Sequence, residues 1–473
     1  MQLLRFILLC LIWLATMVAM VIMAPLGKHV LLFSALFCFG HVLMVLMVWL
    51  FPTDLSSKMA LAGIFVLGIS ARLIFLPYPV GNDVFRYVWE GCIQNLGFNP
   101  FNYSPLSPAL AEIAQGDLSA IWQQINHAEF SAVYPPVALL LFRFFAWLNP
   151  DPFFFKTAMI GFDIGVLILL LLMIKHRGVL PSRLLFYAAN PLILLYISGE
   201  GHLDIIQVFF LCLALYLILC KKSPATGFSM LGLAILSKYL ALAALPFLVN
   251  GENRTKSIAV LIPLILYIPY IDAGSAIFHA LVEFAARFHY NDSMTMLLRY
   301  LLGGHYLFVS TCLLGICLAW VLLFVHDQLR SIYLALGCLL VFLPTLHPWY
   351  IVLIAPFLVF FPSRAWLYLQ AAVIFTFPVS AIEFNTGVFR EISWLKLFEY
   401  IPFYGLLVIG LFRGGFLFRD ESYANPTSIS AVIPTLNESG SLVRCLESLK
   451  NRTALNEIIV ADGGSIDGTP TLA

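Results

Sequence analysis

Asn82-Asp83 open the stretch "GNDVFRYVWEG", directly after an apolar run and a Pro-Tyr-Pro break. Arg86 and Glu90 follow Asp83 at i+3 and i+7, on one face of a helix. A carboxylate placed there can take a proton from a hydroxyl, and polar residues at membrane depth are costly enough to be functional by default. A plainer reading stands beside it, in which Asn82 or Asp83 caps an interfacial helix that Gly91 ends. Other polar clusters also interrupt apolar sequence. "GEGHLD" carries Glu200, His202 and Asp204, and "FAARFHYNDS" carries Arg287, His289, Asn291 and Asp292. "PTLHPWY" carries His347, Trp349 and Tyr350, and "INHAEFSAVYPP" carries Asn126, His127, Glu129 and Tyr134. Ser237-Lys238 breaks the run 225–248. Each is weak alone, since a single interfacial His is more often structural and Trp349 and Tyr350 fit an aromatic belt. Together they supply a base, cations that can hold a phosphate (Arg86, His202, Lys238, Arg287) and apolar walls for a lipid chain. A divalent metal is possible, although no HxxxH or HxH pair defines a site.

The elements that must position these residues are membrane helices. The chain has 473 residues, 61% hydrophobic and 11% charged, under half the charge of an ordinary soluble domain. The fold class expected is an all-α polytopic membrane protein with about 12–14 transmembrane segments and a short C-terminal α/β fragment. Spans are expected at 5–24, 29–51, 58–76, 155–174, 184–199, 203–220, 257–272, 305–325, 331–346, 349–361, 365–384 and 398–412. The first reads as a retained helix and not a cleaved signal. The net charge of +1 says nothing about nucleic acid, but no basic stripe is present to neutralise phosphates, so no nucleic acid is expected as a partner. Nine scattered cysteines show no CxxC pair.

Basic residues cluster at Lys175/Arg177/Arg183, Lys221/Lys222, Arg254/Lys256, Arg330, Arg364 and Arg413/Arg419. Placing them in the cytoplasm puts 77–133, Gly199–Asp204, 273–304, Leu346–Tyr350 and 385–397 on the outer face. Parity then requires that 134–149, short and centred on Arg143, lie at the interface, and that 225–248 enter and return with Lys238 near its tip. An ordinary span with a snorkelling lysine is the other reading of 225–248.

The ordered motifs "RLIFLPYPVGNDVFRYVWEGCIQNLGFNPFNYSP", "INHAEFSAVYPPVALLLF", "ANPLILLYISGEGHLD", "LAILSKYLALAALP", "RFHYNDSMTMLL" and "LPTLHPWYIVLIAPFL" resemble those of bacterial GT-C glycosyltransferases. The nearest resemblance is to polyprenyl-phosphate-mannose-dependent mannosyltransferases, over residues 1–415, with 77–133 as the large periplasmic loop. The resemblance implies an inverting hexosyl transfer from a polyprenyl-phosphate sugar to a lipid or glycan acceptor, on the periplasmic face of a bacterial inner membrane. It implies Asp83 as general base, and Arg86, His202, Asp204, Lys238, Arg287, Asn291, His347 and Tyr350 around donor phosphate and substrate. Relatives often carry two acids where this chain has Asn82-Asp83, which weakens the case for a metal held by a carboxylate pair.

Residues 416–427 read as a polar linker, and 428–473 as strand, helix and strand with a Gly-rich turn at Gly463-Gly464. Ile429–Pro434 and Glu457–Ala461 are the expected strands, with a helix opened by Asn437-Glu438 and another starting at Asp467–Thr469. "VIPTLNE" and "VADGGSIDGT" resemble the start of the family-2, GT-A-type nucleotide-sugar glycosyltransferases. Pro434, Glu438, Asp462 and Asp467 match that family's positions near the nucleotide. The resemblance stops before the family's Asp-x-Asp motif and base, so this cytoplasmic fragment is expected not to transfer sugar by itself. Two other functions remain open on sequence: a transporter or flippase of polyprenyl-linked glycan, and a membrane anchor for the family-2 module.

Overall fold

The structure is a computed structural model that describes residues 2–52, 56–249, 251, 253–413, 429–450 and 455–472. Two compact units divide the chain, Met1–Arg177 with Pro181–Leu417 and Gly178–Leu180 with Phe418–Ala473. The linker expected at 416–427 lies outside the described residues.

The first unit is helical. Its opening helices are α1 (Gln2–Ile22), α2 (Val30–Trp49), α3 (Ser57–Phe75), α4 (Asn82–Asn95), α5 (Pro136–Leu148) and α6 (Pro152–Arg177). Among the described residues seven helices are long and apolar enough to cross a membrane: α1, α2, α3, α6, Lys256–Arg287, Met294–Phe324 and Arg364–Thr386. The expected class, an all-helical protein with many apolar segments and a small C-terminal sheet, is what the structure shows. Several other apolar runs fold as shorter helices of 10–17 residues, such as Asp204–Cys220, Gln328–Val341 and Pro348–Leu358. Proline and polar residues divide them: Pro191 starts a new turn after Asn190, Ser237-Lys238 follows Ile235, and Pro348 starts a helix after His347.

Their directions define two ends. α6 spans 26 residues, a length of about 39 Å, from Lys156 beside Tyr78 to Arg177, which lies 3.4 Å from Asp327. α7 (Asp204–Leu215) starts at the first end, and α8 (Pro224–Ile235) returns to it, where Leu236 O accepts from Val137 N at 2.9 Å. The chain then turns at Lys238 and runs back to Phe247, whose carbonyl accepts from Gln328 beside Asp327. Residues 224–248 therefore rise to one end of the bundle and come back, with Lys238 at the turn.

α4 and α5 pack closely outside the long helices. Gly91 does not end α4, as the sequence suggested; it lies inside the helix, which continues to Asn95. A Cβ there would meet Phe142 O of α5 at 2.3 Å. The glycine serves close approach of two backbones. Below this layer, Arg72 and Asp163 form a buried ion pair at 2.8 Å, with Tyr187 donating to Asp163 at 2.7 Å, and so tie α3 to α6.

The C-terminal unit pairs β1 (Ile429–Thr435) in parallel with β2 (Leu455–Asp462), joined through the helix Leu442–Lys450. This is the expected strand–helix–strand order. The helix begins five residues after Asn437, which takes φ 56 in a turn that separates it from the strand.

Candidate active site

Two loops are stapled together at one end of the first unit. Lys156, buried on α6, donates to Leu76 O and Tyr78 O at 2.6 Å each, satisfying carbonyls where α3 ends. Gly81 N then donates to Glu200 O at 2.9 Å. Glu200 follows a π-helical turn, Leu194–Gly199, which rotates the chain out of its helix. Gly201 completes the exit at φ 84, against Lys156, where a Cβ would lie 3.1 Å from the lysine's own Cβ. "GND" and "GEGHLD" therefore meet because glycines allow the contact and a buried lysine fixes it.

Gly81 is the N-cap of α4, and no side chain caps it. The capping reading of Asn82 or Asp83 is thereby corrected. The Asp83 carboxylate points instead to Asn126 and His202: Oδ1 accepts from Asn126 Nδ2 at 3.0 Å, and Oδ2 lies 3.5 Å from His202 Nδ1. The side chain is 21% exposed, toward a cavity of about 960 Å³. Burial acts to raise its pKa, but the hydrogen bond and charge of His202, with Asn126 and His347, outweigh it. The carboxyl is held well below the usual carboxylate range. Burial conversely acts to lower the pKa of His202, and Asp83 and Glu200 push it up to about 9. His347 has burial as its main influence and is held down to about 3.

His202 turns both ring nitrogens toward carboxylates, Nε2 lying 3.0 Å from Glu200. Asp204 is paired with Lys238 at 2.5 Å, and the Lys238 ammonium stands 3.6 Å from the Tyr350 ring centre. His347 stacks on Trp349 at 4.4 Å. All of these line the same cavity as Asp83. Arg86 reaches its wall, but its guanidinium donates to the carbonyls of Asn126, His127 and Phe130 and to Glu90, so its donors hold the loop. Arg287 lines the cavity edge, 70% exposed and 2.8 Å from Glu283. Asn291 is not in this group. It is buried in a second polar cluster, its amide donating to Glu399 at 3.0 Å and its backbone N to Glu391 at 2.6 Å. Its φ is 47, in the left-handed region, and the neighbouring Tyr290 lines the cavity.

Residues 10–251, just over half of the chain, match the family model described as alpha-(1->6)-mannopyranosyltransferase, N-terminal domain. The chain belongs to this family. It is a membrane glycosyltransferase of mannosyltransferase type, acting on a sugar donor and an acceptor. Residues 430–473 match the model for glycosyl transferase family 2. No curated protein and no solved structure matches the chain.

In the C-terminal unit Asp462 accepts from Gly464 N and Ser465 N at 3.0 and 2.9 Å, and Asp467 accepts from Ser439 N at 3.0 Å. Both organise turns. Pro434 pairs with Ala461 in the sheet, and Glu438 N donates to Thr469. Sequence reasoning missed Glu383, which also lines the cavity from the helix Phe377–Thr386. The signal was an acid inside an apolar run. Lys396 and Glu399, which enclose Asn291 and Asp292, gave no motif. Among the described residues no group of three or more His, Cys, Asp or Glu is placed to hold a metal ion.

Proposed function

We propose that the first unit moves a mannose-like hexose from a polyprenyl-phosphate donor to an acceptor hydroxyl, with inversion and with Asp83 as general base. The observation that carries this reading is the Asp83 carboxylate, partly exposed in a cavity whose other walls hold Lys238, Arg287 and apolar side chains such as Leu240, Leu281 and Phe284. The acceptor oxygen attacks the anomeric carbon while the bond from that carbon to the phosphate oxygen breaks. The electron pair leaves on the phosphate, and the hydroxyl proton passes to Asp83. Lys238 and Arg287 are the cations at hand for the departing charge. The apolar walls suit the lipid chain. With an alpha-(1->6) product, as the family description prints, inversion calls for a beta-linked donor, and the attacking group is the primary 6-hydroxyl of a sugar.

The positive-inside pattern supports a reading in which this cavity faces the periplasm at a bacterial inner membrane and the C-terminus is cytoplasmic. Purified protein in nanodiscs, given an alpha-mannoside acceptor, is offered radiolabelled polyprenyl-phosphate mannose or GDP-mannose. Transfer from the lipid-linked donor alone is expected. Transfer from GDP-mannose alone overturns the reading.

A further inference from the structure

The His202 ring is gripped on every side. Nε2 faces Glu200 at 3.0 Å and Nδ1 faces Asp83 at 3.5 Å. One face of the ring lies on Trp349, with centres 3.9 Å apart and planes 13° apart. Trp349 is itself stacked on His347, at 4.4 Å and 8°. Tyr196 lies 6.0 Å from the His202 ring and 5.7 Å from the indole. The side chain of His202 is 4% exposed. Nε2 is engaged by Glu200, and Nδ1 is buried without a hydrogen bond, with the Asp83 carboxylate as its nearest charged neighbour; a planar cation on an indole face is a favourable arrangement.

We propose that His202 is a positioning residue for Asp83: it sets its charge beside the carboxylate and holds it in one orientation, and Glu200 and Trp349 hold the His202 ring for that purpose. The inference rests on the reading of Asp83 as the base. Asn126 donates to Oδ1 at 3.0 Å, and His202 faces Oδ2 across 3.5 Å as an ion-pair contact, so each carboxylate oxygen has its own neighbour. Each oxygen keeps a lone pair for the acceptor hydroxyl. Without the imidazolium, a partly buried carboxylate drifts toward its protonated form, which cannot accept a proton.

The charged and titratable groups around His202 are Asp83 from α4, Glu200 on its own turn, Asp204 of α7, Lys238 at the break after α8, His347 and Tyr350 on the segment of Trp349, and Tyr196. Among these, Asp204 and Lys238 neutralise each other at 2.5 Å. The profile of activity against pH therefore reports mainly on the Asp83–His202–Glu200 group.

The test is that profile, from about pH 4.5 to 9, measured on the full chain in nanodiscs with labelled polyprenyl-phosphate mannose. In the wild type the acid limb of kcat is expected to lie below this range; in His202→Gln it is expected to rise into it, to about pH 5 or above, with KM for the donor changed less than about threefold. Trp349→Phe is expected to move the same limb in the same direction by less, and it carries the test if His202→Gln does not fold. An unmoved limb in both overturns the proposal. So does a raised donor KM with kcat and its profile intact, which is the signature of a phosphate contact. Asp83→Asn separates the two readings. If it is inactive and the limb does not move in the others, only the role of His202 fails; if it is active, the base assignment itself fails.

Discussion

Gly81 and Glu200 are joined by a backbone hydrogen bond of 2.9 Å, and a Cβ on Gly81 would lie 3.2 Å from the Cβ of Glu200. Two loops 119 residues apart are thereby held in direct contact at the start of α4, two residues before Asp83. Replacing Gly81 by Val sets a branched side chain against Glu200. Transfer is expected to fall by about 10- to 100-fold, because a displacement of about 1 Å at a reacting group costs that much. Expression and helix content are expected to stay near wild type, as measured by yield and far-ultraviolet circular dichroism in the same detergent.

Lys238 and Asp204 form the tightest ion pair of the cavity, at 2.5 Å with side chains 15% and 5% exposed. Removing one partner leaves the other charge buried alone, which costs about 3–5 kcal/mol. Lys238→Met is therefore expected to lower the melting temperature sharply. Lys238→Met with Asp204→Asn is expected to regain most of it while transfer stays low, because the cation at the donor phosphate is lost. A double variant no more stable than Lys238→Met would contradict the pairing.

His202 makes stability depend on pH in a definite direction. Its folded pKa of about 9 lies above the unfolded value of about 6.5. The stabilisation is complete below about pH 6.5 and is lost as pH rises through 9. The loss is on the order of 1–3 kcal/mol. Thermal unfolding at pH 6, 7.5 and 9 checks this. The wild type is expected to lose stability across that range more steeply than His202→Gln. Equal slopes would remove the imidazolium from the account.

Much of this was legible in the sequence, and the reasons differ by residue. Asp83, His202, Lys238 and His347 interrupt apolar runs, where a polar group needs a reason to be; the structure brings all four to one cavity. Their partners were less visible. Glu200 was readable in "GEGHLD" as one of three polar residues, but nothing in the spacing tells which carboxylate meets which base. Arg86 was misjudged as free for a phosphate because its partners are backbone carbonyls of residues 126–130, which have no sequence signature. Asn291 sits beside Tyr290, a cavity residue, yet faces Glu399 108 positions away. Trp349 reads as a belt aromatic, and only its stacking between two imidazoles gives it another part. At Asn190, Ser237-Lys238 and His347 polar residues of or near the site cut apolar runs into shorter helices, a division that hydropathy alone does not mark.

The central claim is that Asp83 accepts the proton of the acceptor hydroxyl. The most direct measurement is the transfer rate of Asp83→Asn, purified in nanodiscs, with saturating labelled polyprenyl-phosphate mannose and an alpha-mannoside acceptor. Asn keeps the size of Asp83 and its contact with Asn126, and removes only the charge and the basic oxygen. The account predicts a fall in kcat of about 100-fold or more, with donor binding retained. A rate within about twofold of wild type, well short of what a lost general base costs, would contradict it.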